Sequence, residues 1–121
     1  MLLRLFMEHY VVKGDVPVLV MAILSEAPCH GYAIAREIER RSGQRFKMKE
    51  GTLYPALRVL EQNGWVEGQW EVQPSGPARK VYRLSSAGHA ELQRRASLWQ
   101  GYTQAFYAVL KPQGGADEQL A

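Results

Sequence analysis

The segment EGTLYPALRVL, Glu50–Leu60, combines hydroxyl groups and a cation on one side of a predicted helix. The hydroxyls of Thr52 and Tyr54 can donate hydrogen bonds to phosphate, and Arg58 is long enough to reach a base edge or a phosphate. The opposite side is apolar and has the i, i+4, i+7 spacing of a helix buried on one face, formed by Leu53, Leu57 and Leu60. An amphipathic helix of this kind is what entry into a DNA major groove requires.

The start of this helix is a candidate phosphate site. We predict a helix from Gly51 or Thr52 to Asn63, with Thr52 as the N-cap and Pro55 in the first turn, where its missing N–H is harmless. Gly64 follows at the place of a left-handed C-terminal residue. The free N–H groups of the first turn attract an anion, and the absence of a side chain at Gly51 lets a backbone phosphate approach.

Positive charge is concentrated around this helix. Between Arg36 and Arg58, seven lysines and arginines stand against three glutamates, a local excess of four charges, whereas the whole chain carries +3. A local basic patch is the electrostatic footprint of a polyanion partner. The same residues also fit a solvated helix face stabilised by i,i+4 ion pairs, and composition does not separate the two interpretations.

The elements that must position this helix are two helices before it and a hairpin after it. Apolar periodicity and breakers predict helices at Val16–Ser25, with Asp15 as N-cap, and at Gly31–Ser42, followed by an extended segment and candidate minor strand at Phe46–Met48. Alternation then predicts a strand at Trp65–Val72, a turn, and a return strand at Arg79–Leu84.

Four further cations flank the predicted helix and hairpin. Because lysine and arginine at such places mostly contact the DNA backbone, they would set register rather than read sequence. They are Lys47, Lys49, Arg79 and Lys80.

A last helix is predicted from Ser85 or Ser86 to about Leu110, with an apolar stripe too wide and too aromatic for a solvated face. The stripe therefore calls for a partner helix. Its main members are Leu92, Ala96, Trp99, Tyr102 or Thr103, Phe106 and Leu110.

This order of elements predicts an α+β, mainly α fold, a winged helix-turn-helix with a C-terminal dimerisation helix. We divide the chain into an N-terminal extension at 1–12, helical and packed on the dimer, a DNA-binding domain at 13–85, the dimerisation helix at 86–110 and a flexible tail at 111–121. The third helix would lie in the major groove, and the hairpin would be the wing.

Composition excludes several other classes. Cys29 is the only cysteine, so no intramolecular disulfide can form, and the nine-residue apolar run from Val16 to Leu24 is too short to span a membrane. No histidine or cysteine spacing resembles a metal site, and no nucleophile set, phosphate loop or paired carboxylates suggest an enzyme or a cofactor. We therefore expect a cytoplasmic, non-enzymatic protein.

Several blocks of the chain resemble PadR-type transcriptional regulators. They are His30-Gly31-Tyr32, Gly51-Thr52-Leu53-Tyr54-Pro55, Leu60-Glu61-Gln62-Asn63-Gly64, Gly76-Pro77-Ala78-Arg79-Lys80 and Tyr82-Arg83-Leu84-Ser85-Ser86-Ala87-Gly88. The single final helix is similar to that of the smaller PadR subfamily. The resemblance implies a homodimeric, mostly repressing regulator of a pseudo-palindromic operator, joined through its last helix. It also implies a site for a small planar or aromatic effector at the dimer interface, with Trp99 as a stacking wall.

Three residues keep an alternative interpretation. Tyr54 could pack half-buried instead of contacting DNA, Tyr32 could pack under the second helix instead of contacting a phosphate, and Trp99 could be ordinary core or interface. Two alternative functions also remain open at this level: a dimer that sequesters a small molecule, and a winged-helix module that binds another protein.

Overall fold

Four α-helices pack around a small antiparallel sheet in the computed structural model, which describes residues 13–113. A 3-10 turn at Lys13–Asp15 leads into the first helix. The helices are α1 (Val16–Leu24), α2 (Gly31–Arg41), α3 (Glu50–Gln62) and α4 (Ser86–Leu110), and the strands are β1 (Cys29–His30), β2 (Val66–Glu71) and β3 (Arg79–Leu84). The predicted mainly helical winged helix-turn-helix is confirmed. The predictions for 1–12 and for 114–121 lie outside the described residues.

The apolar faces of α1, α2 and α3 meet in one core that the sheet closes. Leu53, Leu57 and Leu60 are almost completely buried, so the leucine stripe predicted for α3 faces inward. They pack in one cluster with Met21 of α1 and Ile34 of α2. Burying the leucines orients α3 and leaves its other face for solvent.

The start of α3 differs from the prediction. The helix begins at Glu50, and the extended residue Lys49 (φ −88°, ψ 153°) is its N-cap; the N–H groups of Thr52 and Leu53 both donate to the Lys49 carbonyl at 3.0 Å. Thr52 is therefore inside the first turn, and the prediction of Thr52 as N-cap was wrong. A carboxylate at Glu50 suits the positive end of the helix dipole, which favours the earlier start.

Pro55 consequently lies inside the helix, in its second turn, and the prediction of a first-turn position was also wrong. A proline here removes the hydrogen bond that its N–H would have donated to the carbonyl of Gly51. The helix nevertheless continues to Gln62, held by the buried leucines on either side of the proline.

Of the other elements, β3 and α4 have the predicted bounds, and β2 (Val66–Glu71) is one residue shorter at each end than the predicted Trp65–Val72. Helices α1 and α2 end one residue before the predicted Ser25 and Ser42. Asp15 is the N-cap of α1, but it belongs to the 3-10 turn and its side chain makes no capping hydrogen bond. The segment Phe46–Met48 is not a strand; it belongs to the connection between α2 and α3 and contains a single bridge residue, Lys47.

The sheet has a third strand that the sequence pattern did not reveal. Its order is β1-β3-β2, and β1 pairs with β3 in the register Cys29↔Tyr82 and His30↔Val81. Because α2 starts directly after His30, the backbone of its first residue is held against the hairpin. The two-residue strand thus ties the start of α2 to the hairpin β2–β3.

A compact junction joins α3, the hairpin and α4. Gly64 adopts φ 73°, the left-handed conformation predicted at the end of α3. The Ser85 hydroxyl donates to the Gly64 carbonyl at 2.6 Å and accepts from the Gly88 N–H at 3.0 Å, so Ser85 caps α4. A Cβ at Gly88 would overlap the carbonyl of Trp65, which allows only glycine at this crossing.

Helix α4 leaves the core after its first three turns. Leu92 is half-buried against the core, whereas almost all side chains from Ala96 to Leu110 are exposed. Within the described residues, no helix is long and apolar enough to cross a membrane.

Candidate nucleic-acid interface

The outward face of α3 carries the residues expected to meet DNA. Gly51, Tyr54, Pro55 and Arg58 are exposed, and Thr52 is half-buried at the edge of this face. The burial of the leucines fixes this orientation, because residues three or four positions apart share a face of a helix. The structure therefore presents five predicted residues along one surface of α3. Helix α3 is named here the reading helix.

A cleft of about 430 Å³ separates the reading helix from the hairpin β2–β3, named here the wing. Three parts of the chain contribute to its walls: the start of α2, the reading helix and the inner face of the wing. It contains four predicted site residues, Tyr32, Tyr54, Arg79 and Lys80. The cleft is called here the interface cleft. The other residues that line it are His30, Gly31, Trp70, Ala78 and Tyr82.

Tyr54 is held at the floor of this cleft by close contact with Gly31. A Cβ at Gly31 would stand 2.9 Å from both Cε1 and the hydroxyl oxygen of Tyr54. The ring is 41% exposed, so its inner edge packs on α2 while its outer edge reaches the cleft. The HGY block thus has a steric role: its glycine makes room for the tyrosine of the GTLYP block.

Tyr32 stands at the outer wall of the cleft. Its hydroxyl accepts a 2.8 Å hydrogen bond from the guanidinium of Arg36, whose Cζ also lies 5.6 Å from the ring centroid. The side chain is 58% exposed, which argues against the interpretation that it packs under α2. The pair presents a cation and a hydroxyl oxygen together at the surface.

The two wing cations differ in their surroundings. The side chain of Arg79 is exposed and makes no hydrogen bond or ion pair within residues 13–113. Lys80 lies 3.1 Å from a carboxylate oxygen of Glu61 on the reading helix, and its Nζ is 5.4 Å from the centroid of Tyr82. Burial raises the pKa of the Tyr82 hydroxyl, and the nearby positive charge of Lys80 opposes that rise.

Part of the basic patch is neutralised within the protein. Arg40 and Arg41 both donate to Glu37, and Arg41 also donates to Glu26. Hydrogen bonds from the two guanidinium groups lower the pKa of Glu37 to about 2. For Arg40 and Arg41 the structure therefore favours the solvated, ion-paired helix face over a polyanion site.

The cations of the α2–α3 connection lie apart from the cleft. Lys47 and Lys49 are both exposed, and neither lines the cleft that holds Arg79 and Lys80. The Lys47 ammonium donates to the side-chain carbonyl of Gln44 at 2.9 Å. Lys49 is the N-cap of α3, two residues before Gly51, so it lies at the start of the reading helix.

Sequence reasoning missed Trp70 as a member of the site. Trp70 alternates with Gly68 and Val66 on one face of β2 and pairs with Lys80 across the hairpin, which places it on the inner face of the wing. It is 67% exposed, because the wing extends past the core at this point. The alternation pattern contained the signal: a tryptophan in register with the buried Val66 faces the reading helix.

The predicted effector residues lie elsewhere, where α4 crosses α1. A groove of about 380 Å³ between these helices brings Leu92, Ala96 and Trp99 together, and Asp15 stands at its edge. Burial raises the pKa of the Asp15 carboxyl. The other residues along the groove are apolar: Val18, Leu19, Ala22 and Phe46.

The remaining two effector residues continue outward along α4. Trp99 and Tyr102 make an edge-to-face contact at 5.8 Å, and Tyr102 stacks on Phe106 at 6.2 Å. The three rings, named here the aromatic stripe, are 43%, 63% and 51% exposed, respectively. In residues 13–113 there is no cluster of side chains suited to hold a metal ion.

A helix-turn-helix pair whose second helix is exposed, followed by a wing that shares a cleft with it, defines the winged helix-turn-helix class of transcriptional regulators. Within that class, the sequence profile of the PadR-like family of transcriptional regulators matches residues 20–94, and the chain belongs to this family. The predicted resemblance is thereby confirmed. Members of this family are transcriptional regulators, not enzymes.

Relatives support the assignment at moderate identity. A probable transcriptional regulator of Mycobacterium tuberculosis is 36% identical over 64% of this chain and 41% of its own length. An uncharacterized protein of Lysinibacillus sphaericus is 30% identical over 74% of this chain and 82% of its own length. The negative transcriptional regulator PadR of Bacillus subtilis is 26% identical over 60% of this chain and 40% of its own length.

Solved structures have the same fold along most of the chain. A PadR family transcription regulator from Clostridium difficile superposes with a TM-score of 0.71 at 31% identity, over 80% of this chain and 99% of that one. A PadR family regulator from Eggerthella lenta gives a TM-score of 0.73 at 27% identity, over 84% of this chain and 86% of that one.

Proposed function

We propose that this protein is a homodimeric repressor that binds a pseudo-palindromic operator through its reading helix and wing, and that a small effector at the dimer interface releases it. The main support for DNA binding is the interface cleft, in which the start of α2, the reading helix and the wing converge with the exposed side chains of Tyr32, Tyr54 and Arg79. One duplex could touch all three parts, because a major groove admits a helix while the adjacent backbone meets the flanking segments.

Each site residue has a proposed role in this complex. Arg58, at the exposed middle of the reading helix, contacts a base edge, while Tyr54 and Thr52 donate hydroxyl hydrogen bonds to phosphate. Gly51 permits close approach of the backbone at the helix start. Pro55 makes apolar contact from the same face. The remaining backbone contacts are made by Tyr32, Lys47, Lys49 and Arg79.

The exposed outer half of α4 supports a second copy of this chain as its partner. The aromatic stripe and Leu110 form an apolar surface that a monomer would leave in water, at a cost proportional to its area. A two-fold dimer covers the same stripe on both copies with one interface. It would also place two reading helices about 34 Å apart, the spacing of successive major grooves on one side of B-DNA.

The groove beside Trp99 supports an effector of planar, cationic chemistry. Apolar side chains form its walls, and Asp15 stands at the edge as the carboxylate that a cation would meet. A ring system could stack on Trp99, and its charge would be attracted by the indole face and by Asp15. Binding there would shift α4 relative to α1 and so change the separation of the two reading helices.

Repression is proposed rather than activation, because the relative from Bacillus subtilis is a negative transcriptional regulator. A repressor needs only to occupy its operator, and release requires an effector that binds the DNA-competent dimer less well than another state. The coupling between the two sites would be on the order of 1–3 kcal/mol.

Fluorescence anisotropy with a labelled duplex from the region upstream of the protein's own gene, and a scrambled duplex of equal length, tests the proposal. We expect preference for the first duplex. Arg58→Ala should reduce that preference by about 5- to 150-fold, the range of one base contact. Arg79→Ala should lower the affinity for both duplexes by the same factor. It should also reduce the slope of log affinity against log salt concentration by about 0.9.

Equal affinity for both duplexes, unchanged by Arg58→Ala, would refute sequence-specific binding. Titration with a planar aromatic cation, followed by tryptophan fluorescence, tests the effector site, and Trp99→Phe separates its signal from those of Trp65 and Trp70. Quenching accompanied by DNA release indicates a sensor. Quenching without release would contradict the coupling and favour a sequestering protein.

A further inference from the structure

We infer that Lys80 does not contact DNA but fixes the wing to the reading helix through Glu61, and that Gly68 provides the space for this pair. Glu61, Gly68 and Lys80 are named here the wing latch. The inference rests on the proposed function in one respect: the reading helix and the wing bind the same duplex. It assigns Lys80 a positioning role in place of the phosphate contact predicted from the sequence.

The geometry of Lys80 supports this assignment. Its ammonium lies 3.1 Å from Oε1 of Glu61, both side chains are only 29% exposed, and the ammonium also lies 5.4 Å from the centroid of the buried Tyr82. A lysine that contacts phosphate usually extends into solvent before binding. Lys80 is instead already engaged on its carboxylate side and on its aromatic side.

Two locally unfavourable residues converge on this lysine. Glu61 places a negative charge in the last turn of α3, the negative end of the helix dipole, where a cation would be preferred. Gly68 interrupts β2, where glycine weakens a strand. Residues that break local rules at one point indicate a shared role that compensates for them.

Gly68 shows what that role requires. A Cβ at Gly68 would overlap Cε of Lys80 and would stand 2.9 Å from Oε2 of Glu61. The lysine stem therefore crosses β2 in the space that a side chain would fill. Any larger residue would displace both Cε of Lys80 and Oε2 of Glu61 from their present positions.

The latch joins two elements that DNA must meet at a fixed angle. Glu61 lies in the last turn of the reading helix. Lys80 is the second residue of β3 and pairs with Trp70 of β2. The other ion pairs described lie outside the wing, in α2, in α4 and between α2 and Glu26. Without the latch, the outer part of the hairpin would pivot about the backbone pairing between β1 and β3.

The direction in which Glu61→Gln changes the affinity for DNA tests the inference. Glu61→Gln removes a negative charge close to the DNA-binding surface, which by charge alone would tighten binding. If the latch orients the wing, the same substitution weakens binding instead, by about 3- to 10-fold, a value in the lower part of the range for residues in direct contact. Glu67→Gln is the matched control, because Glu67 is exposed on the same hairpin and makes no polar contact within residues 13–113.

The salt dependence and a double substitution separate positioning from contact. Lys80→Gln should weaken binding while the salt slope stays that of the unmodified protein, whereas loss of a phosphate contact would lower the slope by about 0.9. The double variant Glu61→Gln/Lys80→Gln should bind no more weakly than Lys80→Gln alone, since both changes open one latch. Arg79→Ala provides the reference for a lost phosphate contact.

Gly68→Ala tests the latch without changing charge. We expect it to reproduce the loss caused by Glu61→Gln, with the thermal unfolding midpoint of each variant confirming that the fold persists. Tighter binding by Glu61→Gln, or a lowered salt slope in Lys80→Gln, would overturn the inference and restore Lys80 as a phosphate contact. The proposed function fails separately, if the unmodified protein shows no operator preference.

Discussion

Tyr54 depends on the residue opposite it as much as on its own helix. Its ring fits only because Gly31 has no side chain, and its outer edge then reaches the interface cleft. Gly31 of the HGY block and Tyr54 of the GTLYP block are 23 positions apart in the chain and meet at this contact. Their joint presence is explained by one steric requirement at the interface cleft.

Gly31→Ala should therefore weaken DNA binding through Tyr54. The new methyl group would stand 2.9 Å from the tyrosine ring, and moving a side chain off its rotamer costs on the order of 1 kcal/mol, or about fivefold in affinity. Anisotropy titrations measure the loss. In a Tyr54→Ala background, Gly31→Ala should no longer reduce the affinity for DNA, because the methyl group then meets no ring. An equal loss from Gly31→Ala in both backgrounds would contradict this explanation.

Gly51→Ala should separate stability from binding. Gly51 is helical, and a Cβ there meets nothing within 4 Å, so the substitution should stabilise the fold by about 0.5–1 kcal/mol. If a phosphate approaches the start of the reading helix, the same methyl group should weaken DNA binding. Thermal unfolding and anisotropy provide the two measurements, and an unchanged affinity would exclude Gly51 from the contact.

At the scale of elements, the sequence was informative where a pattern is local. The leucine stripe, the left-handed Gly64 and the start of α4 at Ser86 each follow from residues within one or two turns, and all three are present. The strand β1 has two residues and no periodicity, so only its pairing with β3 reveals it. The Glu61–Lys80 contact spans 19 residues and depends on how the hairpin folds back, which no local pattern encodes.

The base of α4 is fixed by charges at its second turn. Glu91 accepts from Arg94 and Arg95, and the guanidinium of Arg95 lies 5.1 Å from the ring of Trp65, in the connection between the reading helix and β2. The carboxylate thus orients the arginine that connects α4 to the DNA-binding half. The direction of α4 relative to the core therefore depends on this cluster.

Acid should weaken this connection. Hydrogen bonds from Arg94 and Arg95 lower the pKa of Glu91 from 4.5 to about 2. Because the folded-state pKa is the lower one, the stabilisation is complete above pH 4.5 and is lost as the pH falls to about 2. The difference in melting temperature between the unmodified protein and Glu91→Gln should shrink across this window. With Glu67→Gln as the exposed control, a constant difference for Glu91→Gln would contradict the assignment.

At the scale of the whole molecule, two parts of the chain differ in how much of their apolar surface is exposed to solvent. Residues between Val16 and Leu92 form one core, whereas the outer part of α4 leaves the aromatic stripe in solvent. A regulator that reads a two-fold operator needs a second copy, and the stripe offers the surface for it. Dimer formation and DNA binding should therefore be lost together when the stripe is changed.

Phe106→Arg provides that test. A charge in the middle of an apolar helix–helix interface is desolvated without a partner, so sedimentation equilibrium should show a monomer at concentrations where the unmodified protein is a dimer. Ala108→Arg is the matched control, because Ala108 is exposed about half a helical turn from Phe106. It should leave the dimer intact.

The same pair of variants links assembly to function. A monomer carries one reading helix and engages one half-site, so Phe106→Arg should lower operator affinity by about 100-fold or more, the advantage of two linked contacts. The fold of the DNA-binding half should persist, since Phe106 lies outside the core. If Phe106→Arg remained dimeric with full affinity, the partner of α4 would have to be sought on another face of the molecule.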